Sequence, residues 1–113
     1  VSRETLERSD GERTRAFERT AWELFGANTG SETRLGIVAE LEANGPLNAN
    51  QLANALERDY TTVRHHLERL SEAEFVVTDG PERGYDVRYR LGETLEANWP
   101  WVERRWLEPT AVE

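Results

Sequence analysis

The chain has 113 residues with 22 Asp and Glu against 14 basic residues, every one of them Arg, for a net charge of -8. That length suits one domain, and its 24 Leu, Ile, Val and Phe lie just above the roughly 20% line below which charged chains stay unfolded. Four Trp and three Tyr supplement a thin core, and the lack of Cys excludes disulfides, thiolate nucleophiles, Cys-type zinc sites and thiol redox sensing.

Residues 1–9 are polar and are expected to form a flexible tail, with one domain over residues 10–108. The opening VSRETLERSD places charges where a signal peptide needs an apolar stretch, and no apolar run is long enough to cross a membrane, so a cytoplasmic protein is expected. Ser9 and Glu12 have capping-box spacing, which predicts a helix from near Asp10 carrying Phe17, Ala21, Leu24 and Phe25 on one stripe and ending at Gly26. Thr29 and Glu32 repeat that spacing ahead of a second helix with Leu35, Val38, Ala39 and Leu41, stopped by Asn44-Gly45-Pro46. A turn of extended chain follows around Leu47.

Asn48 and Gln51 give a third capping signal and open a short helix with Leu52, Ala53 and Leu56 inward. After a tight turn at Arg58-Asp59, Asp59 caps a further helix with Val63, Leu67 and Leu70 on its buried stripe. The period then changes from 3.6 to 2. FVVTD is a strand, GPERG a turn, and in YDVRYRL the residues Tyr85, Val87, Tyr89 and Leu91 alternate with Asp86, Arg88 and Arg90. A last helix spaces Leu95, Trp99, Val102 and Trp106 along one side, and Pro100 should kink or restart it near Trp99.

The order ααβααββα, mainly α with a small β-hairpin, predicts a winged helix-turn-helix: a three-helix core, a wing and terminal dimerisation helices. The helix-turn-helix spans about 49–74, the wing about 75–91 and the C-terminal helix about 93–107. Leu52-Ala53, Thr62-Val63, HLERL at 66–70 and the Phe75-Val76 entry to the wing resemble winged helix-turn-helix regulators of the ArsR type, particularly haloarchaeal ones. The resemblance covers about residues 31–107 and implies a double-stranded DNA-binding transcription regulator that acts as a homodimer in an archaeal cytoplasm. Two positions depart from it. Arg58 stands where relatives carry an apolar turn residue, which makes Tyr60 the candidate for that packing. Glu74 stands where Gly or Asn is usual, and a left-handed conformation there would cost Glu roughly 1 kcal/mol or more. The Cys-based metal sites of some ArsR sensors have no counterpart, so no metal and no cofactor are expected.

An α-helix fits the major groove with its N-terminal side chains at base edges. With Val63, Leu67 and Leu70 inward, the outward residues of the presumed recognition helix are Thr61, Thr62, Arg64, His65 and Arg69. Arg64 and His65 are the candidates for base reading, with Thr61 and Thr62 divided between bases and phosphate. His66 falls nearer the buried stripe and is expected to be a satisfied, partly buried residue; beside His65 it points about 100° away, a poor chelate. Asn48, Asn50 and Gln51 sit at a helix start that suits a phosphate, although plain capping serves Asn48 equally well. In the wing, Arg83 is placed to reach a minor groove, while Arg88 and Arg90 either touch backbone or pair with neighbouring carboxylates.

Acidity argues against a nucleic-acid partner, but it is unevenly spread: Arg58 to Arg90 holds six Arg and seven acids. A carboxylate-rich, Lys-free surface suits molar salt, where the Debye length is only about 3 Å; an Arg-favouring high-GC genome explains the same composition. Bound salt cations would then bridge protein and DNA. Phe17, Trp22 and Phe25, with Leu95, Trp99, Val102 and Trp106, are candidates for a two-fold interface, or else for the chain's own core. No carboxylate pairing or Gly-rich phosphate loop points to an enzyme. The alternative function is a winged-helix protein–protein module of the transcription machinery, without base readout.

Overall fold

The computed structural model describes residues 15–79 and 87–108. The expected tail at residues 1–9, the Ser9–Glu12 box with its helix start at Asp10, and the wing turn with Arg83, Tyr85 and Asp86 lie outside these residues.

Helix α1 runs through residues 15–25, and Phe17, Ala21, Leu24 and Phe25 are buried on the stripe that the spacing predicts. Gly26 closes it by donating to the Trp22 carbonyl at 2.9 Å. Helix α2, Ser31–Asn44, does not begin with the Thr29–Glu32 box. Its N-cap is Gly30, in the left-handed region with φ 85° and no side-chain cap. The Thr29 carbonyl is instead taken by the Arg34 guanidinium at 3.3 Å, so the loop is organised from within α2. The buried stripe also differs from the expected one: Arg34, Ile37, Val38 and Leu41 face inward, while Leu35 and Ala39 are half-buried.

Strand β1, Leu47–Asn48, leads directly into helix α3, Ala49–Leu56. Asn48 and Gln51 form a complete capping box, each side chain accepting the other's backbone N–H at 2.8 Å. Helix α4, Tyr60–Glu72, starts where the Asp59 carboxylate accepts from the Thr61 and Thr62 amides at 3.0 and 3.2 Å. These caps satisfy amides that no helical carbonyl can reach. Tyr60 does not pack in the turn as expected. It is 44% exposed, and half-buried Leu56 supplies the apolar contact, against Gly36 of α2. Arg58 stays outside and meets Glu32 at 3.9 Å, a solvent-exposed pair of small worth.

Strands β2, Val76–Asp79, and β3, Arg88–Leu91, pair antiparallel with Val76 opposite Leu91 and Asp79 opposite Arg88. Strand β1 joins the other edge of β3, with Leu47 opposite Tyr89 and Asn48 opposite Arg88, so the sheet order is β1-β3-β2. Leu91 is buried and Tyr89 half-buried, while Arg88 and Arg90 are exposed, which is the predicted alternation.

The last helix is divided at Asn98 into α5, Glu93–Ala97, and α6, Trp99–Val102, followed by a π-helical turn over Glu103–Leu107. Pro100 falls in the first turn of α6, where its missing N–H costs nothing. This is the restart that the proline predicts. The segment packs on α1 through aromatic rings: Trp22 and Trp106 are 4.9 Å apart, Phe25 and Trp106 5.6 Å, Phe17 and Trp101 5.8 Å. Phe75, at the foot of the wing, stacks on Phe17 at 5.2 Å. These pairs add to area burial in a chain with few aliphatic residues.

Glu57 and Glu74 both adopt left-handed backbone, with φ 53° and 60°. The strain expected at Glu74 is therefore present. Glu74→Gly should raise stability by about 0.5–1 kcal/mol, the relieved strain less the entropy of glycine, seen as a higher urea midpoint at unchanged slope.

Candidate nucleic-acid interface

Helix α4 is held from one side only. Val63, Leu67 and Leu70 are fully buried, and His66 on the same side is 9% exposed. Thr61, Thr62, Arg64, His65 and Arg69 are all exposed, on the outer side of the helix. The burial of the inner stripe fixes the rotation of α4, and the rotation brings these five side chains onto one solvent-facing surface. Their N-terminal members follow the Asp59 cap, at the end of the helix whose side chains would meet base edges.

Arg64 does not hang free. Its Nη1 donates to the Tyr60 hydroxyl at 3.1 Å, and its guanidinium lies 5.9 Å from the centre of the Tyr60 ring. The Tyr60 hydrogen bond, then the nearby Tyr89, hold the guanidinium even more firmly protonated than an ordinary arginine. Exposed Tyr60 thus serves as a strut for Arg64, a role that its position in the turn did not suggest.

Asn48 and Gln51, candidates for phosphate contact, have their side chains committed to the capping box, while Asn50 is exposed. Arg88 and Arg90 are exposed on the wing strand, and Arg90 also donates to the Leu91 carbonyl at 3.5 Å. Asp79 sits opposite Arg88 in the ladder. Of the residues considered for a two-fold interface, Phe17, Phe25, Leu95, Trp99 and Val102 are buried within the chain's own core. Trp22, 50% exposed, and half-buried Trp106 remain at the surface.

A cluster that sequence reasoning missed lies under α4. Arg34 is 1% exposed, and its guanidinium donates to the Leu24 carbonyl at 2.7 Å, Asn28 Oδ1 at 2.6 Å and the Thr29 carbonyl at 3.3 Å. It also reaches His66 Nδ1 at 3.2 Å. The signal was present in the spacing: Arg34 stands three, four and seven residues before Ile37, Val38 and Leu41, on one helical face. Its charge kept it out of the apolar count.

Among the described residues, no three His, Asp or Glu gather to hold a metal ion, and no helix is long and apolar enough to cross a membrane.

The architecture is a winged helix-turn-helix, mainly helical with a small three-stranded sheet. A family described as a helix-turn-helix domain matches residues 29–79, from the loop before α2 to the end of β2. No curated protein matches. Among solved structures, AbfR of Staphylococcus epidermidis is similar with a TM-score of 0.61 and 16% identity, over 97% of this chain and 77% of that one. The transcriptional regulator SlyA gives 0.57 and 20%, over 88% and 71%. A MarR/EmrR family transcriptional regulator from Acinetobacter sp. ADP1 gives 0.54 and 17%, over 91% and 76%. At these identities the likeness carries the winged-helix fold, and not the ArsR or haloarchaeal branch that the sequence resembles.

Replacing Asp59 tests the local construction of this surface. Asp59→Ala should cost about 1 kcal/mol in urea unfolding through the loss of the α4 cap, whereas Asp59→Asn, which keeps an accepting oxygen, should stay within a few tenths.

Proposed function

We propose that this chain is a double-stranded DNA-binding transcription regulator that places α4 in the major groove and the wing on the adjacent backbone or minor groove. The observation that carries this reading is the two-sidedness of α4: an apolar inner stripe, and an outer face of Thr61, Thr62, Arg64, His65 and Arg69 open to solvent. Arginine pairs bidentately with guanine, and threonine meets a thymine methyl or an acceptor. Arg64, braced by Tyr60, is pre-set for such a pairing, and His65 lies beside it. Arg69, further along, suits a more peripheral contact. Asn50, Arg83, Arg88 and Arg90 are the backbone and wing contacts; the capped Asn48 and Gln51 offer a helix start more than free side chains. The likeness to solved structures of transcriptional regulators supports this use of the fold.

The acting unit in this proposal is a homodimer formed through α1 and the C-terminal segment. Trp22 and Trp106 form its apolar surface, over the buried Phe17, Phe25, Leu95, Trp99 and Val102 that shape them from beneath. Two-fold symmetry then asks for half-sites one helical turn, about 34 Å, apart. No metal or cofactor takes part. The Lys-free acidic composition suits a salt-rich cytoplasm, and salt cations bridge carboxylates to phosphates where the two approach.

Arg64→Ala and His65→Ala should each weaken operator binding by about 1–3 kcal/mol in fluorescence anisotropy, with sedimentation showing the dimer intact. A protein–protein module would lose nothing, and a monomer at micromolar concentration would remove the two-fold operator. Counterion release scales as about 0.9 per phosphate contacted, and Arg58 to Arg90 holds six Arg against seven acids. The salt dependence should therefore be shallow or inverted; affinity falling steeply from low to molar KCl would refute it.

A further inference from the structure

We infer that Arg34 is a positioning residue for DNA recognition, which fixes the α1–α2 loop to the inner side of α4 through His66 and so sets how the outer face of α4 is presented. The inference rests on the DNA-reading role of that face. Arg34 acts from the buried side of the helix, where it reaches α4 through His66.

The geometry is that of a junction. One guanidinium gathers the end of α1 through the Leu24 carbonyl, the loop through Asn28 and the Thr29 carbonyl, and α4 through His66. Arginine has five N–H donors in a rigid fork and no acceptor. The contact at 3.2 Å therefore requires His66 Nδ1 to accept, which puts the imidazole proton on Nε2. The loop is shaped around this contact. A Cβ on Gly30 would stand 2.6 Å from His66 Cε1 and 2.8 Å from Arg34 Nη1, and φ at Gly30 is 85°. Only glycine fits there.

His66 is consequently a latch that a proton opens. An imidazolium would present N–H to a donor-only guanidinium, and two cations would share a site with little water. The charged groups that face His66 are Arg34 from α2 and His65 and Arg69 on α4, all of them positive when ionised; α1 and the loop contribute neutral carbonyls and the Asn28 amide. Burial, then Arg34, His65 and Arg69, press its pKa below the ordinary value of 6.5. Burial also lowers the Arg34 pKa, with Arg69 adding to the effect. The sign follows from linkage. The unfolded chain takes up the His66 proton more readily than the folded one, so this contribution to stability is complete above about pH 6.5 and is lost as pH falls through the lower folded value.

The His66 effect is isolated by comparing the full chain with His66→Gln, whose side-chain oxygen can accept from Arg34 but takes up no proton, and which leaves every other residue unchanged. Anisotropy against a duplex recovered by selection from genomic fragments is measured from pH 8 to pH 5, under conditions where circular dichroism shows both proteins folded. Wild type should bind within threefold of His66→Gln at pH 8 and fall at least fivefold behind it by pH 5. Arg34→Gln, also held under folded conditions, should bind at least tenfold more weakly at pH 8 and show a flatter profile than wild type. Nitrogen NMR should find the His66 proton on Nε2 at pH 8. A constant ratio between wild type and His66→Gln, an Nδ1–H tautomer, or full affinity in folded Arg34→Gln each overturns the positioning role while leaving DNA recognition standing. A wild-type chain that binds no duplex at any pH overturns the DNA reading itself, and the positioning role with it.

Discussion

The seating of α4 is the constraint on which the rest of the molecule depends. Val63, Leu67 and Leu70 are inaccessible to water and belong to the single buried core. Burying them removes on the order of 1.5–3 kcal/mol of exposure cost per side chain and admits one rotation of the helix about its axis. Everything on the far side follows from that rotation. The exposed threonines, Arg64 and His65 share a surface because the leucines on the opposite side cannot be elsewhere.

The scarcity of aliphatic residues explains the aromatic character of the remaining core. Phe17, Phe25, Phe75, Trp101 and Trp106 meet edge to face, stacked or tilted at 5.2 to 5.8 Å where α1, the wing foot and the C-terminal segment converge. A few large rings do the work of many methyl groups. At the rim, Arg105 lies 4.4 Å from the centre of the Trp101 ring, covering it with a cation. Among the described residues no cation covers Trp22, which stands half in solvent, next to Trp106. Among the described residues, Phe17, Phe25 and Trp99 belong to the chain's own interior, while Trp22 and half-buried Trp106 reach the surface.

What the sequence disclosed depended on whether a local rule or a tertiary one decided the outcome. Asn48–Gln51 and Asp59 behave as their spacing predicts, because a cap is settled within four residues. Pro100 divides the last helix for an equally local reason. The inner stripe of α4 was legible because it is apolar and periodic, and the outer face followed by subtraction. Thr29–Glu32 has the right spacing for a cap and does not form one, since Gly30 in left-handed backbone takes the N-cap position and α2 begins at Ser31. Arg34 was invisible to an apolar pattern, although its position on the stripe is regular. The neighbourhood of Tyr60 predicts packing in the turn, whereas in the structure its hydroxyl accepts from Arg64. The division of aromatic residues between interior and rim was also beyond reach, because it turns on the angle at which α1 meets a segment some eighty residues later.

Asn48 occupies two structures at once. Its side chain closes the first turn of α3, and its backbone lies opposite Arg88 in the ladder. The supporting helix and the wing strand β3 thus meet at one residue, opposite the end of the strand nearest the wing turn. A single residue therefore shares its backbone with the sheet and its side chain with the helix, so a substitution at Asn48 touches the wing strand and the first turn of α3 together.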